Sequence, residues 1–136
     1  MCIRDSFYVS IFKNSKILGV SHFGEAGPGP AGTVLTVTFE LDGQEFTALN
    51  GGPHFTFTEA ISLFVNCETQ QEIDELWAKL TAAGEESMCG WLKDKFGVSW
   101  QVVPKILAEL MTDPEKAPKA IVAFIQMRKF EIDKLM

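Results

Sequence analysis

The sequence predicts an α+β fold of paired βαβββ modules with a curved mixed sheet, the first strand of module 1 missing, and helices at the C-terminus. Three observations predict it. Thr33 to Leu41 alternates apolar and polar residues, with Leu35, Val37, Phe39 and Leu41 on one face, and stops at Asp42-Gly43. That dipeptide favours the left-handed backbone of a tight hairpin turn. Behind Thr69-x-x-Glu72, a capping box, Ile73, Leu76, Trp77, Leu80 and Ala83 mark one face of a helix. Finally, Gly43 precedes Phe46 by the same offset that separates Gly97 from Trp100, so the two halves close on matching hairpins.

The elements follow in order. Met1-Cys2-Ile3-Arg4-Asp5-Ser6 resembles the translation of a sequencing adapter and is set aside as a fusion scar. Phe7 to Phe12 reads as the last turns of a helix, ended by Lys13-Asn14-Ser15. Lys16 to Phe23 is a strand, and the Gly/Pro run from Gly24 to Gly32 a loop. Gln44 to Leu49 returns as the hairpin partner of Thr33 to Leu41. Module 1 thus covers 7–50 and lacks an opening strand, its turn and the helix start, about 20 residues in all. A chain with those residues restored is expected to be more stable.

A linker, 51–59, leads to module 2 at 60–104. Ala60 to Asn66 is its first strand, and Gly84 is expected to stop the helix in the left-handed conformation. Strands follow at Glu85 to Met88, Gly90 to Lys95 and Val98 to Pro104. Residues 105–136 hold helices at Lys105 to Met111 and from about Glu115 to Met127. Asp113-Pro114 resembles a helix start, and Pro118 shifts or bends it. All of this forms one domain over 1–136.

Composition narrows the function. The chain carries a net charge of −6, which disfavours nucleic acid and anionic membrane surfaces alike. Eleven Phe and three Trp suit a large core or an aromatic-lined pocket. Cys2, Cys67 and Cys89 form no C-x-x-C pair, so they read as reduced thiols rather than a disulfide framework. No apolar run approaches the ~20 residues of a membrane span, and no signal peptide precedes Phe7. The expected location is cytoplasmic.

Several ordered motifs carry a family resemblance. They are Phe7-Tyr8-Val9-Ser10-Ile11-Phe12 with Asn14-Ser15-Lys16-Ile17, Gly51-Gly52-Pro53, Glu59-Ala60-Ile61-Ser62, and Gln71-Glu72-Ile73-Asp74 with Trp77. Cys89-Gly90-Trp91-Leu92-Lys93-Asp94 and Gly97-Val98-Ser99-Trp100-Gln101-Val102-Val103-Pro104 complete the set. Together they resemble the PhnB-like branch of the vicinal-oxygen-chelate superfamily, which includes glyoxalases and bleomycin-resistance proteins. The resemblance implies modules that curve around a pocket, and commonly a homodimer. In metal-using relatives it places ligands at Ala60, Gln101 and Thr47, with a fourth on the absent strand. Alanine has no donor atom, and Thr and Gln are weak divalent ligands, so no metal and no cofactor is expected.

The remaining candidates each have a plainer reading. His22 and His54 are the only histidines. His54 could be an acid or base near neutral pH, or a polar linker residue. Cys89 lacks a nearby His or cation and reads as an inert thiol. Glu85-Glu86 reads as a solvated strand start. PhnB-like chains are often labelled methyltransferases of the ubiquinone pathway, yet no Gly-rich strand-to-helix turn for a nucleotide-bearing cofactor is present.

Strand parity then selects a pocket wall. With Ile61, Leu63 and Val65 under the helices, Ala60, Ser62 and Phe64 face the concavity. Gln101 and Val103, Thr36 and Thr38, and Thr47 and Leu49 join them by the same parity. Such a wall suits a small apolar or aromatic metabolite with a few hydrogen bonds. The alternative is a divalent-metal lyase, isomerase or dioxygenase of the glyoxalase type.

Overall fold

The computed structural model of the chain describes residues 3–27 and 29–136. Met1 and Cys2 of the set-aside segment, and Pro28 of the Gly/Pro loop, lie outside the described residues. Two compact units, Met1–Phe55 and Thr56–Met136, are each described by themselves.

The first unit runs α1 (Ile3–Ile11), β1 (Lys16–His22), β2 (Val34–Leu41) and β3 (Gln44–Leu49), in an antiparallel sheet ordered β1-β2-β3. Helix α1 begins before Phe7, taking in residues that the sequence reading set aside. Asp5 is buried there, with Arg4 Nε 4.0 Å from its Oδ1. Tyr8 is buried as well, and α1 packs against β1 and β2. Alternation on β2 turns Val37, Phe39 and Leu41 into the core, and the Phe39 and Phe46 rings stack at 5.7 Å across the hairpin. Asp42 and Gly43, at φ 49 and 85, make the tight turn that their side chains favour. The Gly/Pro loop folds over the Phe23 ring. A Cβ on Gly29 would lie 2.7 Å from that ring, so only glycine admits the close approach.

The second unit runs β4 (Leu63–Cys67), α2 (Gln70–Thr81), β5 (Glu85–Glu86), β6 (Trp91–Lys93) and β7 (Ser99–Pro104). The sheet order is β4-β7-β6-β5, with β4 parallel to β7 and the other pairs antiparallel. Its last three strands repeat the order of β1-β2-β3, and its helix sits in the chain where α1 does. The place that β4 takes beside β7 has no strand beside β3 among the described residues. Three helices follow: α3 (Ile106–Thr112), α4 (Ala117–Phe124) and α5 (Ile132–Leu135).

The capping box forms around the start of α2. Thr69 Oγ1 accepts from the Glu72 amide at 3.1 Å, and Glu72 reaches back to the Glu68 amide at 3.1 Å. Ile73, Trp77 and Leu80 bury one face against β7, β6 and β4. The Gln70 side chain holds the C-terminal segment, donating to Phe130 O at 2.9 Å and accepting from Ile132 N at 2.8 Å. Among the described residues, no helix is long and apolar enough to cross a membrane.

Several details depart from the sequence reading, with β5 and β6 shorter than the expected Glu85 to Met88 and Gly90 to Lys95. Strand β4 starts at Leu63 rather than Ala60, and Ile61 is 78% exposed rather than under a helix. Its partner β7 begins at Ser99 and pairs Leu63 with Trp100, so Ile61 and Ala60 would have to pair with the residues of the turn before β7. The helix expected from about Glu115 starts at Ala117, because Asp113 Oδ1 accepts from the Glu115 and Lys116 amides and closes a turn first. Finally, Ala83 rather than Gly84 takes the left-handed φ, at 59. Gly84 is needed for space: a Cβ there would lie 2.3 Å from the Lys93 carbonyl oxygen. Left-handed backbone costs a non-glycine residue roughly 1–2 kcal/mol. Ala83→Gly is therefore expected to raise stability by about 0.5–1 kcal/mol, read from the urea midpoint.

Candidate functional site

In the second unit, one face of the sheet packs against α2, and on the other Phe64 is exposed while Ser99 and Val103 are buried. Leu92, Trp100 and Val102 lie on the helix side, buried. The strand register then fixes what lies on the open side. Phe64 pairs with Gln101 and Trp91 pairs with Gln101, so the three stand in one row across β4, β7 and β6. Phe64 is 55% exposed, while Gln101 and Trp91 are half-buried. Gln101 Nε2 donates to Ser62 Oγ at 2.9 Å, which fixes the amide. Its Oε1 accepts no hydrogen bond from the described residues.

Ser99 precedes Gln101 by two on β7 and shares its face by alternation. Its hydroxyl is 2% exposed and has no hydrogen-bond partner. Lys93 pairs with Ser99 in register and forms an ion pair with Glu59 on the same side. The Lys93 hydrogen bond holds the Glu59 carboxyl below its ordinary value, and Glu59 in turn raises Lys93.

The expected site residues fall as follows. Ser62, Phe64 and Gln101 come together on the open face. Val103 shares the parity but is buried. Ala60 lies in an exposed turn, where its amide donates to Thr58 Oγ1 at 3.3 Å, so it is no strand residue. In the first unit, Thr38 pairs with Thr47 and Thr36 with Leu49, which puts all four on the face away from α1. Ser21 bonds the Thr36 hydroxyl there. His54 is exposed in the segment after β3, and His22 is exposed at the end of β1.

Sequence reasoning missed Trp91, Ser99 and the Lys93–Glu59 pair. The signal lay in the second hairpin: counting parity through Gly90 to Lys95 would have placed Trp91 opposite Gln101.

The other chemistry-bearing side chains do not converge. Glu85 and Glu86 point to opposite faces of β5, and Glu86 accepts from Trp77 Nε1 at 2.5 Å. Burial pushes the Cys67 thiol up to about 12, with the Glu72 charge adding to it, so the reactive thiolate is suppressed. Among the described residues, no three His, Cys, Asp or Glu side chains are grouped to hold a metal ion. Ala60, Thr47 and Gln101 offer a divalent ion neither imidazole nor carboxylate. The glyoxalase-type metal does not fit these residues.

A family model described as 3-demethylubiquinone-9 3-methyltransferase matches residues 4–103. Among solved structures, the chain is similar to a Bacillus cereus PhnB protein, itself described as a proposed 3-demethylubiquinone-9 3-methyltransferase. Identity is 43% over 74% of this chain and 88% of that one, with a TM-score of 0.68. A Pseudomonas aeruginosa protein shares the fold at 20% identity and a TM-score of 0.59, over 73% of this chain and 84% of its own. No curated protein matches the chain. The chain belongs to the 3-demethylubiquinone-9 3-methyltransferase family, in its PhnB-like branch of glyoxalase-fold proteins.

Proposed function

We propose that the protein binds a small, mostly apolar molecule on the open face of the β4-β7-β6-β5 sheet, without a metal ion. The observation that carries this reading is the polar pair on β7. Ser99 keeps a buried hydroxyl without a partner, and Gln101 is oriented by Ser62 with its oxygen free. Leaving a buried polar group unpaired costs roughly 1–3 kcal/mol, a cost that a ligand hydrogen bond offsets. Phe64 and Trp91 supply the apolar surface around it, as small-molecule sites require.

The family description names a methyltransferase, which needs a cradle for a nucleoside-bearing methyl donor. The β4-to-α2 turn is the place for one in an α/β unit. Here the Glu68 and Glu72 amides at that turn are already taken by Glu72 and Thr69. The metal-dependent lyase, isomerase or dioxygenase reading lacks its ligand residues. Binding therefore fits the residues better than either reaction.

The test is a thermal-shift panel of small aromatic and aliphatic alcohols, acids and amides on wild type and Gln101→Leu. Compounds that raise the wild-type midpoint are expected to bind the variant about 5–10-fold more weakly, the worth of one hydrogen bond. Equal shifts in both proteins would contradict the site.

We also assign the protein a homodimer, in the cytoplasm. The outer edges of β1 and β3 pair with no strand among the described residues, and Leu18 and Val20 on β1 are exposed. Such edges are normally covered. Light scattering at micromolar concentration is expected to give twice the chain mass, and a monomer mass would contradict it.

A further inference from the structure

We propose that the molecule bound on this face is a neutral, planar aromatic ring, inserted between Phe64 and Trp91 with a hydrogen-bond donor turned to Gln101. The proposal rests on the binding reading above and names its ligand class. The strand register carries it. Phe64 and Trp91 each pair with Gln101, from opposite neighbouring strands. Adjacent strands lie about 4.8 Å apart, so the two aromatic side chains rise about 10 Å apart with the Gln101 amide as the floor between them. A flat ring in contact with a wall on each face needs about 7 Å, from about 3.5 Å per carbon contact. The slot therefore takes one ring once the side chains lean inward, and both of its walls can offer π faces.

The floor sets the polar pattern. Gln101 Nε2 is committed to Ser62, so Oε1 is the atom presented, and it can only accept. The ligand must bring an N–H or O–H to it. Two residues along β7, about 7 Å away, the Ser99 hydroxyl can donate or accept, and this asks for a second polar group on the same molecule. Lys93 pairs with Glu59 and has Glu85 beside it as its register partner on β5, so it offers no spare positive charge to hold an anion. A planar ring carrying a donor and an acceptor but no net charge satisfies all of these constraints.

The experiment titrates the ¹⁵N-labelled protein with benzamide, with cyclohexanecarboxamide and with benzoate. Benzamide is expected to shift the Trp91 indole and Gln101 side-chain signals. It should bind about tenfold more tightly than its saturated counterpart, the scale of stacking against two rings. Phe64→Leu, at an exposed position, should remove the preference for the flat ring while leaving the amide contact. Equal affinity of the two amides at these signals would overturn the aromatic slot and leave the binding site standing. Benzoate binding more tightly than benzamide would overturn the neutral class. If neither amide moved the Gln101 or Trp91 signals, the slot and the binding site would both fall.

Discussion

Asp94→Ala should cost the protein about 3–5 kcal/mol. Asp94 is 3% exposed just after β6, and its carboxylate accepts from two backbone amides and an indole. Its Oδ1 takes the Phe96 and Val98 amides at 2.8 and 3.1 Å, and its Oδ2 takes Trp100 Nε1 at 2.9 Å. These bonds shape the β6–β7 turn, whose backbone closes with Asp94 N on Val98 O at 2.9 Å. Bonds to a charged acceptor are worth roughly 1.5–3 kcal/mol each, and they are not additive within one network. Truncation removes the carboxylate acceptor from three donors, one of them on a buried tryptophan. Asp94→Asn keeps one acceptor oxygen but turns an NH₂ toward a donor, so its cost should fall between wild type and alanine. Urea melts of the three proteins give the order. An alanine variant within about 1 kcal/mol of wild type would show that the turn is held otherwise.

Gly90→Ala is expected to cost about 2–4 kcal/mol, for two separate reasons. The residue sits at φ 80, in backbone that a side chain disfavours. A Cβ there would also lie 2.5 Å from the Phe130 ring and 2.7 Å from the Val102 carbonyl oxygen. Neither neighbour can retreat easily. Phe130 is buried, and β7 is held through Val102 N on Gly90 O at 2.8 Å. On the other side, Gly90 N donates to Arg128 O at 2.8 Å, which joins the C-terminal segment to this point. Loss of stability should therefore come with faster amide exchange at Cys89 and Gly90. Exchange that is unchanged in a destabilised variant would separate the strain from the C-terminal docking.

Local chemistry made most of the fold legible. The hairpin at Asp42-Gly43, the capped helix from Thr69 and the matching offsets to Phe46 and Trp100 are short-range signals, each with one physical solution. The structure repeats them with shifts of a residue or two. Asp113-Pro114 gave a helix start that moved to Ala117, with Pro118 in the first turn, because Asp113 satisfies its own turn before the helix begins.

What the sequence hid depends on contacts between distant segments. Ala60 to Ser62 is as apolar as a strand, but a parallel strand extends only as far as its partner does, and β7 begins at Ser99. Gly84 looked like a helix terminator, whereas its need is the approach of Lys93 from another strand. The site was half legible. Gln101 and Phe64 follow from parity on β7 and β4, and Ser62, just before β4, joins them through its bond to Gln101. Trp91 and Ser99 needed the register of the β6–β7 hairpin, which the buried Asp94 sets.

Amide hydrogen exchange, with and without a saturating compound from the thermal-shift panel, tests most directly whether a small molecule settles on the open sheet face around Gln101. Protection is expected to rise at Phe64, Trp91 and Ser99 to Val103, the strands that carry the face, with little change in α4. Protection confined to the first unit or to the C-terminal helices, with β7 unchanged, would contradict it.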